Sequence, residues 1–341
     1  MMSPTQVPQS VAIIGAGAWG TSLASVLADR YREVALWVYE TDLAAAMAEV
    51  RENRPYLPGV RLPEAVRPTS SLEEALSGKP LVVFVVPSHV FRGIVERAQP
   101  FLRPGVVLVS ATKGLEVESL CTMSQIMQQV LAPAHHPNLA VLSGPSFARE
   151  VAARCPTAVV AAADDPAVAE TVQRAVSGGP LRVYAGTDWR GVELGGAVKN
   201  VIAIAAGIVD GLALGTNARA ALVTRGLAEM TRLGVAMGAQ TGTFSGLAGM
   251  GDLILTCTGD LSRNRSFGRQ LAEGARPEAL LAASRTVAEG VNACRSVVHL
   301  AEQHRVEMPI CLAVHRVLFE GQDPRDAVER LMARDLRFEG E

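Results

Sequence analysis

Lysine is nearly absent from this chain. Of its 32 basic residues only Lys79, Lys113 and Lys199 are lysines. Arginine keeps its charge at working pH whereas a desolvated lysine can give up a proton, so each of the three invites a chemical reason. Net charge is lacking as well: with 34 acidic residues the formal charge is -2, which excludes a global field drawing the chain to nucleic acid or anionic membrane. Any anion must be held locally. Long apolar runs are missing too. The longest, Val201 to Val209, stops at Asp210, short of the roughly 20 residues that span a bilayer. The start, "MMSPTQVPQS", has neither the basic nor the apolar region of a signal peptide, so a soluble, cytoplasmic protein without a membrane span is expected. Cysteine is sparse: Cys121, Cys155, Cys257, Cys294 and Cys311 form no CxxC pair, and buried thiols are expected rather than a metal site or a disulfide.

What is present is an ordered alternation. "VAIIGAG", "EVALWVY", "LVVFVVPS", "GVVLVSATKG", "NLAVLSGPS", "TAVVAAAD" and "LRVYAGTD" are short apolar, β-branched runs separated by helical stretches. That pattern predicts a parallel sheet covered by helices on both faces. Strand signals cease near Trp189. The remainder reads as helices: a long one from Val192, then "NARAALVTRGLAEMTRLGVAM", "SFGRQLAEGA", a stretch around Ser284 to Gly290, and two more, the last started by Asp323 and Pro324. The expected division is 1–187 and 188–341.

"VAIIGAGAWGTSLASVLA" places Gly15, Gly17 and Gly20 in a GxGxxG between a strand and a helix. Gly15 serves the tight turn, Gly17 lets a pyrophosphate approach the backbone, and Gly20 allows close helix packing. The helix start would hold the anion. The expected fold class is therefore an α/β N-terminal Rossmann-type doubly wound sheet followed by an all-α C-terminal domain. After the second strand, "LWVYE" offers Glu40 to a ribose hydroxyl, one residue beyond the usual place, which Tyr39 occupies.

Lys199 stands in "GGAVKNVIAIAAGIVDG", a segment with almost nothing polar in it. On a helix from Val192 to Leu212 it falls opposite the face of Leu194, Val198, Val201, Ala205 and Ile208, in line with Gly195, Gly196, Ala203 and Ala206. Small neighbours leave room above it for another molecule. A buried ammonium loses proton affinity and becomes able to exchange a proton with an alcohol or carbonyl oxygen. The plainer alternative is a lysine that snorkels to water above a close helix contact.

Lys113, in "SATKGLE", follows a strand at the carboxyl edge of the sheet, where open α/β folds bind ligands. "SGPSFARE" follows the next strand and puts Ser146 at an expected helix start. In "GLAGMGDLILTCTGDLSRNRSFG", Asp252 sits between Gly251 and Leu253 as a positioned carboxylate would. Ser262, Arg263, Asn264 and Arg265 then supply hydroxyl, guanidinium and amide donors that suit a phosphate monoester. A loop cation, a helix cap and a capped surface helix are the bland readings of these three segments.

Taken together and in order, "GAGAWGTSLA", "VPS", "TKGLE", "LSGPSFAREV", "GVELGGAVKNVIAIAAGIVDGL", "TRGLAEMTRLG", "TFSGLAGMGDLILTC", "SRNRSFG" and "VAEGV" resemble the bacterial soluble type of NAD(P)-dependent glycerol-3-phosphate dehydrogenase. The resemblance implies interconversion of dihydroxyacetone phosphate and sn-glycerol 3-phosphate with NAD(P)H, feeding glycerophospholipid synthesis. It implies Lys199 as acid/base, with Lys113 touching substrate and cofactor. Gly144, Ser146, Asp252, Ser262, Arg263 and Asn264 would hold the substrate, and Arg263 would also reach the cofactor. Ala18, Trp19, Tyr39, Ala148, Val287 and Glu289 fall on further cofactor positions; Tyr39 replaces the Arg or His of many relatives. Asn200 and Thr256 could hydrogen-bond the substrate. No metal is implied, and a homodimer is expected. Two other readings remain open at this stage: another two-domain dehydrogenase acting on a hydroxy acid or acyl thioester, and a non-catalytic NAD(H) sensor.

Overall fold

The computed structural model describes residues 9–283, 289–336 and 338–339. Its first part alternates strands and helices: β1 (Ser10–Ile14), α1 (Ala18–Leu27), β2 (Glu33–Trp37), α2 (Thr41–Val50), β3 (Val66–Thr69), α3 (Leu72–Leu76), β4 (Leu81–Phe84) and α4 (Ser88–Ala98). The alternation continues through β5 (Val107–Ser110), α5 (Met123–Val130), β6 (Leu139–Ser143), α6 (Ala148–Ala152), β7 (Thr157–Ala162), α7 (Pro166–Val176) and β8 (Leu181–Gly186). Helices then take over: α8 (Trp189–Gly211), α9 (Gly215–Ala236), α10 (Thr241–Phe244), α11 (Asp252–Thr258) and α12 (Arg263–Ala272). The last are α13 (Pro277–Ala283), α14 (Glu289–Gln303), α15 (Pro309–Phe319) and α16 (Pro324–Met332). A single turn of π-helix, Leu247–Gly251, leads into α11. Most of the stretch expected as helix around Ser284 to Gly290 lies outside the described residues.

The eight strands form one sheet in the order β3-β2-β1-β4-β5-β6-β7-β8. All neighbours run parallel except β6 and β7, which are antiparallel. This departs from the expected all-parallel sheet. The connection between β6 and β7 contains only the short α6, too little to return the chain to the starting end of the sheet, so the strand reverses. β3, "VRPT", escaped the sequence pattern because Pro68 weakens it; it survives as an edge strand, where a missing N–H is tolerated. Helices α1, α6 and α7 pack on one face of the sheet, and α3, α4 and α5 on the other. The fold class read from the sequence is the one observed.

α8 differs from its expected form. It starts three residues earlier, at Trp189, where Asp188 caps it by accepting from Gly191 N at 3.0 Å. Nor does it have one apolar face: nearly every residue from Trp189 to Val209 is buried. By length and composition it could cross a membrane, but its apolar window lies wholly inside the protein, at the centre of the helical core. Glycine makes the closest crossing possible. A Cβ on Gly207 would stand 1.9 Å from Arg265 O, and one on Gly268 would stand 2.0 Å from Ile204 O, so α8 and α12 touch backbone to backbone. All five cysteines are free. Cys257, Cys294 and Cys311 are buried as expected, whereas Cys121 is half-buried and Cys155 exposed.

Candidate active site

The glycine turn has the shape of an anion cradle. Gly15 adopts φ +119°, and a Cβ there would come within 2.6 Å of Val85 O; a Cβ on Gly20 would lie 1.9 Å from Gly15 O. Above Gly17 the space is open, with nothing within 4 Å of where a Cβ would be. No side chain caps the start of α1 and no acid sits in its first turn, so its amides face that space uncompensated. These residues fit a dinucleotide pyrophosphate.

A run of direct contacts leads from this turn to Lys199. Gly15 lies against Val85 and Val86 beyond β4; Thr112 Oγ1 donates to Val86 O at 2.8 Å, and the next residue is Lys113. Lys113 Nζ donates to Gly144 O at 3.1 Å and to Asp252 Oδ2 at 2.7 Å. The other carboxylate oxygen, Oδ1, accepts from Lys199 Nζ at 2.6 Å. Lys199 also donates to Thr256 Oγ1 at 2.8 Å, and Thr256 is held by Asp252 O. An ammonium has three N–H donors, so one on Lys199 remains for a further acceptor.

Burial sets the chemistry of this cluster. Lys199 is 5% and Asp252 1% exposed. Burial lowers the Lys199 pKa to about 8; Asp252 opposes that shift and Lys113 adds to it. For Asp252 burial favours the neutral acid, but the two lysines outweigh it and hold the carboxyl below its ordinary value. Glu289, at the start of α14, feels Arg263, Lys113, Lys199 and His89, which oppose the upward push of burial on its carboxyl. Charges from α4, α8, α12 and the loop after β5 are thus felt at the start of α14.

Comparison with known proteins is decisive about kinship. Models of the N-terminus and C-terminus of NAD-dependent glycerol-3-phosphate dehydrogenase match residues 10–169 and 188–329. The chain belongs to this family. A relative in Geobacter sulfurreducens named glycerol-3-phosphate dehydrogenase (NAD(P)+) is 55% identical over 331 residues, covering 97% of this chain and 99% of that protein. Another of the same name, from Syntrophobacter fumaroxidans, is 52% identical over 96% of this chain and 97% of the relative. The crystal structure of glycerol-3-phosphate dehydrogenase from Coxiella burnetii superposes with a TM-score of 0.91 at 41% identity, covering 96% of this chain and all of that one.

The dehydrogenase family's expected positions fall in this structure as follows. Gly144, at φ +142°, turns its carbonyl to Lys113 and to Ser146 Oγ, which donates at 3.0 Å. Ser146 does not start a helix: α6 begins two residues later, at Ala148, whose carbonyl accepts from Ser22 Oγ on α1 at 2.6 Å. Ser262 is the N-cap of α12, accepting from Arg265 N at 3.2 Å. Arg263 is exposed. Asn264 is buried and tied on both ends, donating to Asn200 Oδ1 at 2.9 Å and accepting from Gly290 N at 3.1 Å. Arg265, also read from the sequence as a phosphate donor, donates through Nε to Asp210 at 2.6 Å and through a terminal nitrogen to Asp260 at 2.9 Å, which turns part of its guanidinium toward carboxylates. Ala18 and Trp19 open α1 beside Gly17 and Gly20. Tyr39 is 69% exposed beyond β2. Val287 lies outside the described residues.

Several contributors escaped the sequence reading. Glu193, buried on α8, accepts from Ser124 N at 2.9 Å and Ser124 Oγ at 2.5 Å at the start of α5, pinning the lysine helix to the sheet domain. The signal that singled out Lys199, a charge in an apolar helix, applies to it equally. His89 carried no local signal, since only the fold brings it to Glu289.

Proposed function

We propose that this chain catalyses the NAD(P)H-dependent interconversion of dihydroxyacetone phosphate and sn-glycerol 3-phosphate. One observation carries the reading: a single buried carboxylate, Asp252, holds both Lys113, beyond the carboxyl end of β5, and Lys199 of α8. When bound, the reduced nicotinamide supplies the hydride. Lys199 protonates the C2 oxygen during reduction and removes that proton during oxidation, with Asp252 and Thr256 fixing its nitrogen. Lys113, supported by Gly144 O, supplies positive charge between substrate and cofactor. Ser262, Arg263 and Asn264 at the start of α12, with Gly144 and Ser146, hold the three-carbon phosphate. Gly15, Gly17, Ala18, Trp19 and Gly20 hold the pyrophosphate, and Tyr39, Ala148, Val287 and Glu289 complete the cofactor site.

The reading extends to organisation. Residues 1–187 bind the dinucleotide and 188–341 complete the substrate pocket. The protein is a cytoplasmic homodimer in this reading, and the exposed Leu214, Val235, Met250 and Ile254 on the helical part offer apolar surface for the pairing. Light scattering on the purified chain measures that state. The activity is tested by following reduced-nicotinamide absorbance with dihydroxyacetone phosphate, with NADH and NADPH in parallel. Oxidation of neither cofactor would refute the proposed reaction.

A further inference from the structure

The acid beyond the second strand is fixed in place. Glu40 Oε1 accepts from Tyr56 Oη at 2.9 Å. Tyr56 N in turn donates to Asn53 Oδ1 at 3.4 Å. Asn53 is fully buried and donates through Nδ2 to Ala16 O at 2.7 Å and Thr21 Oγ1 at 2.8 Å. The glycine turn is therefore linked to Glu40 through the Asn53 side chain and Tyr56, whose hydroxyl holds one oxygen of the exposed carboxylate beside the end of β2. On the segment after α2, Arg51 donates to Pro63 O and Val66 O, and the exposed Arg54 pairs with Glu52 at 3.3 Å. Arg97 lies 5.9 Å from the centre of the Trp37 ring, and Tyr39 stands edge-on to the same ring.

We propose that Glu40, set by Tyr56 and Asn53, makes this chain select NADH over NADPH. The carboxylate oxygen not bound to Tyr56 accepts from the 2′-hydroxyl of the adenosine ribose, the contact that acids at the end of the second strand make in dinucleotide folds, here reached from one residue further along. A 2′-phosphate would bring a second anion against that carboxylate, beside a tyrosine ring rather than a guanidinium. Selectivity then comes from repulsion of NADPH as much as from attraction of NADH. The inference rests on the cofactor reading given above.

Binding, measured without turnover, tests it. Fluorescence titration of the full chain with each reduced nucleotide, without substrate and at one ionic strength, should give NADH an affinity about tenfold or more above NADPH. Glu40→Gln should narrow that ratio, mainly by strengthening NADPH, and Tyr56→Phe should narrow it by releasing the carboxylate. A wild-type ratio near one or in favour of NADPH overturns the proposal, whether or not the variants fold. So does an unchanged ratio in folded Glu40→Gln, or selective loss of NADPH affinity in Arg97→Ala, which would give the ribose end to a cation. Equal binding sinks only the selectivity, whereas binding of neither nucleotide sinks the cofactor reading with it.

Discussion

Lys199 Nζ and Asp252 Oδ1 lie 2.6 Å apart, both buried. The same carboxylate holds Lys113 with its other oxygen, so one negative charge balances two positive ones in a poorly solvated place. Removing it should be costly in two ways.

In Asp252→Asn the two ammonium groups lose their counter-charge while keeping their burial. We expect a stability loss of about 3–5 kcal/mol, as when one partner of a buried pair is deleted, and a fall in turnover of about a hundredfold or more. Denaturant unfolding and steady-state rates check each. A variant of wild-type stability and rate would show that the carboxylate balances nothing.

Lys199→Ala leaves Asp252 paired with Lys113 and the sheet edge intact. Turnover should fall by about several hundredfold or more while dihydroxyacetone phosphate still binds, because the lost group acts on the proton. Lys199→Arg should be nearly as inactive, since a guanidinium does not give up its proton. Near-normal turnover in either would remove Lys199 from the chemistry.

The pH dependence has opposite signs in the two directions. Ketone reduction needs the ammonium of Lys199 and alcohol oxidation needs its free amine; burial, with help from Lys113, brings the changeover down to about 8. Raising the pH through about 8 should therefore depress kcat/KM for reduction and raise it for oxidation. Profiles that move the same way in both directions would contradict the assignment.

The backbone crossing of α8 and α12 predicts unequal effects of adding one methyl group. Gly207→Ala forces a Cβ onto Arg265 O and should destabilise the fold by about 1–3 kcal/mol or more. Gly242→Ala in α10, where a Cβ meets nothing within 4 Å, should be neutral or stabilising by about 0.5–1 kcal/mol. Comparison of denaturation midpoints decides it.

Much of this molecule is written in local pattern. Continuous apolar runs marked seven of the eight strands, GxGxxG marked the turn where Gly15 and Gly20 leave no room for a Cβ, and Asp323 with Pro324 marked the start of α16. Local pattern carries such features because periodicity and turn chemistry depend on neighbours in the chain. Lys199 and Asp252 stood out for the same reason, each being a charge where the surrounding residues demand burial.

The sequence by itself determined the fold class, the glycine turn after β1 and the burial of Lys199 and Asp252. Tertiary structure alone decided who meets whom. Asp252 reaches Lys113 across 139 residues and Lys199 across 53; Arg265 pairs with Asp210; β7 reverses against β6; Tyr56 donates to Glu40. Partner choice of this kind follows from how helices and sheet pack in three dimensions, and a contact between distant residues leaves no periodic trace in the order of the chain.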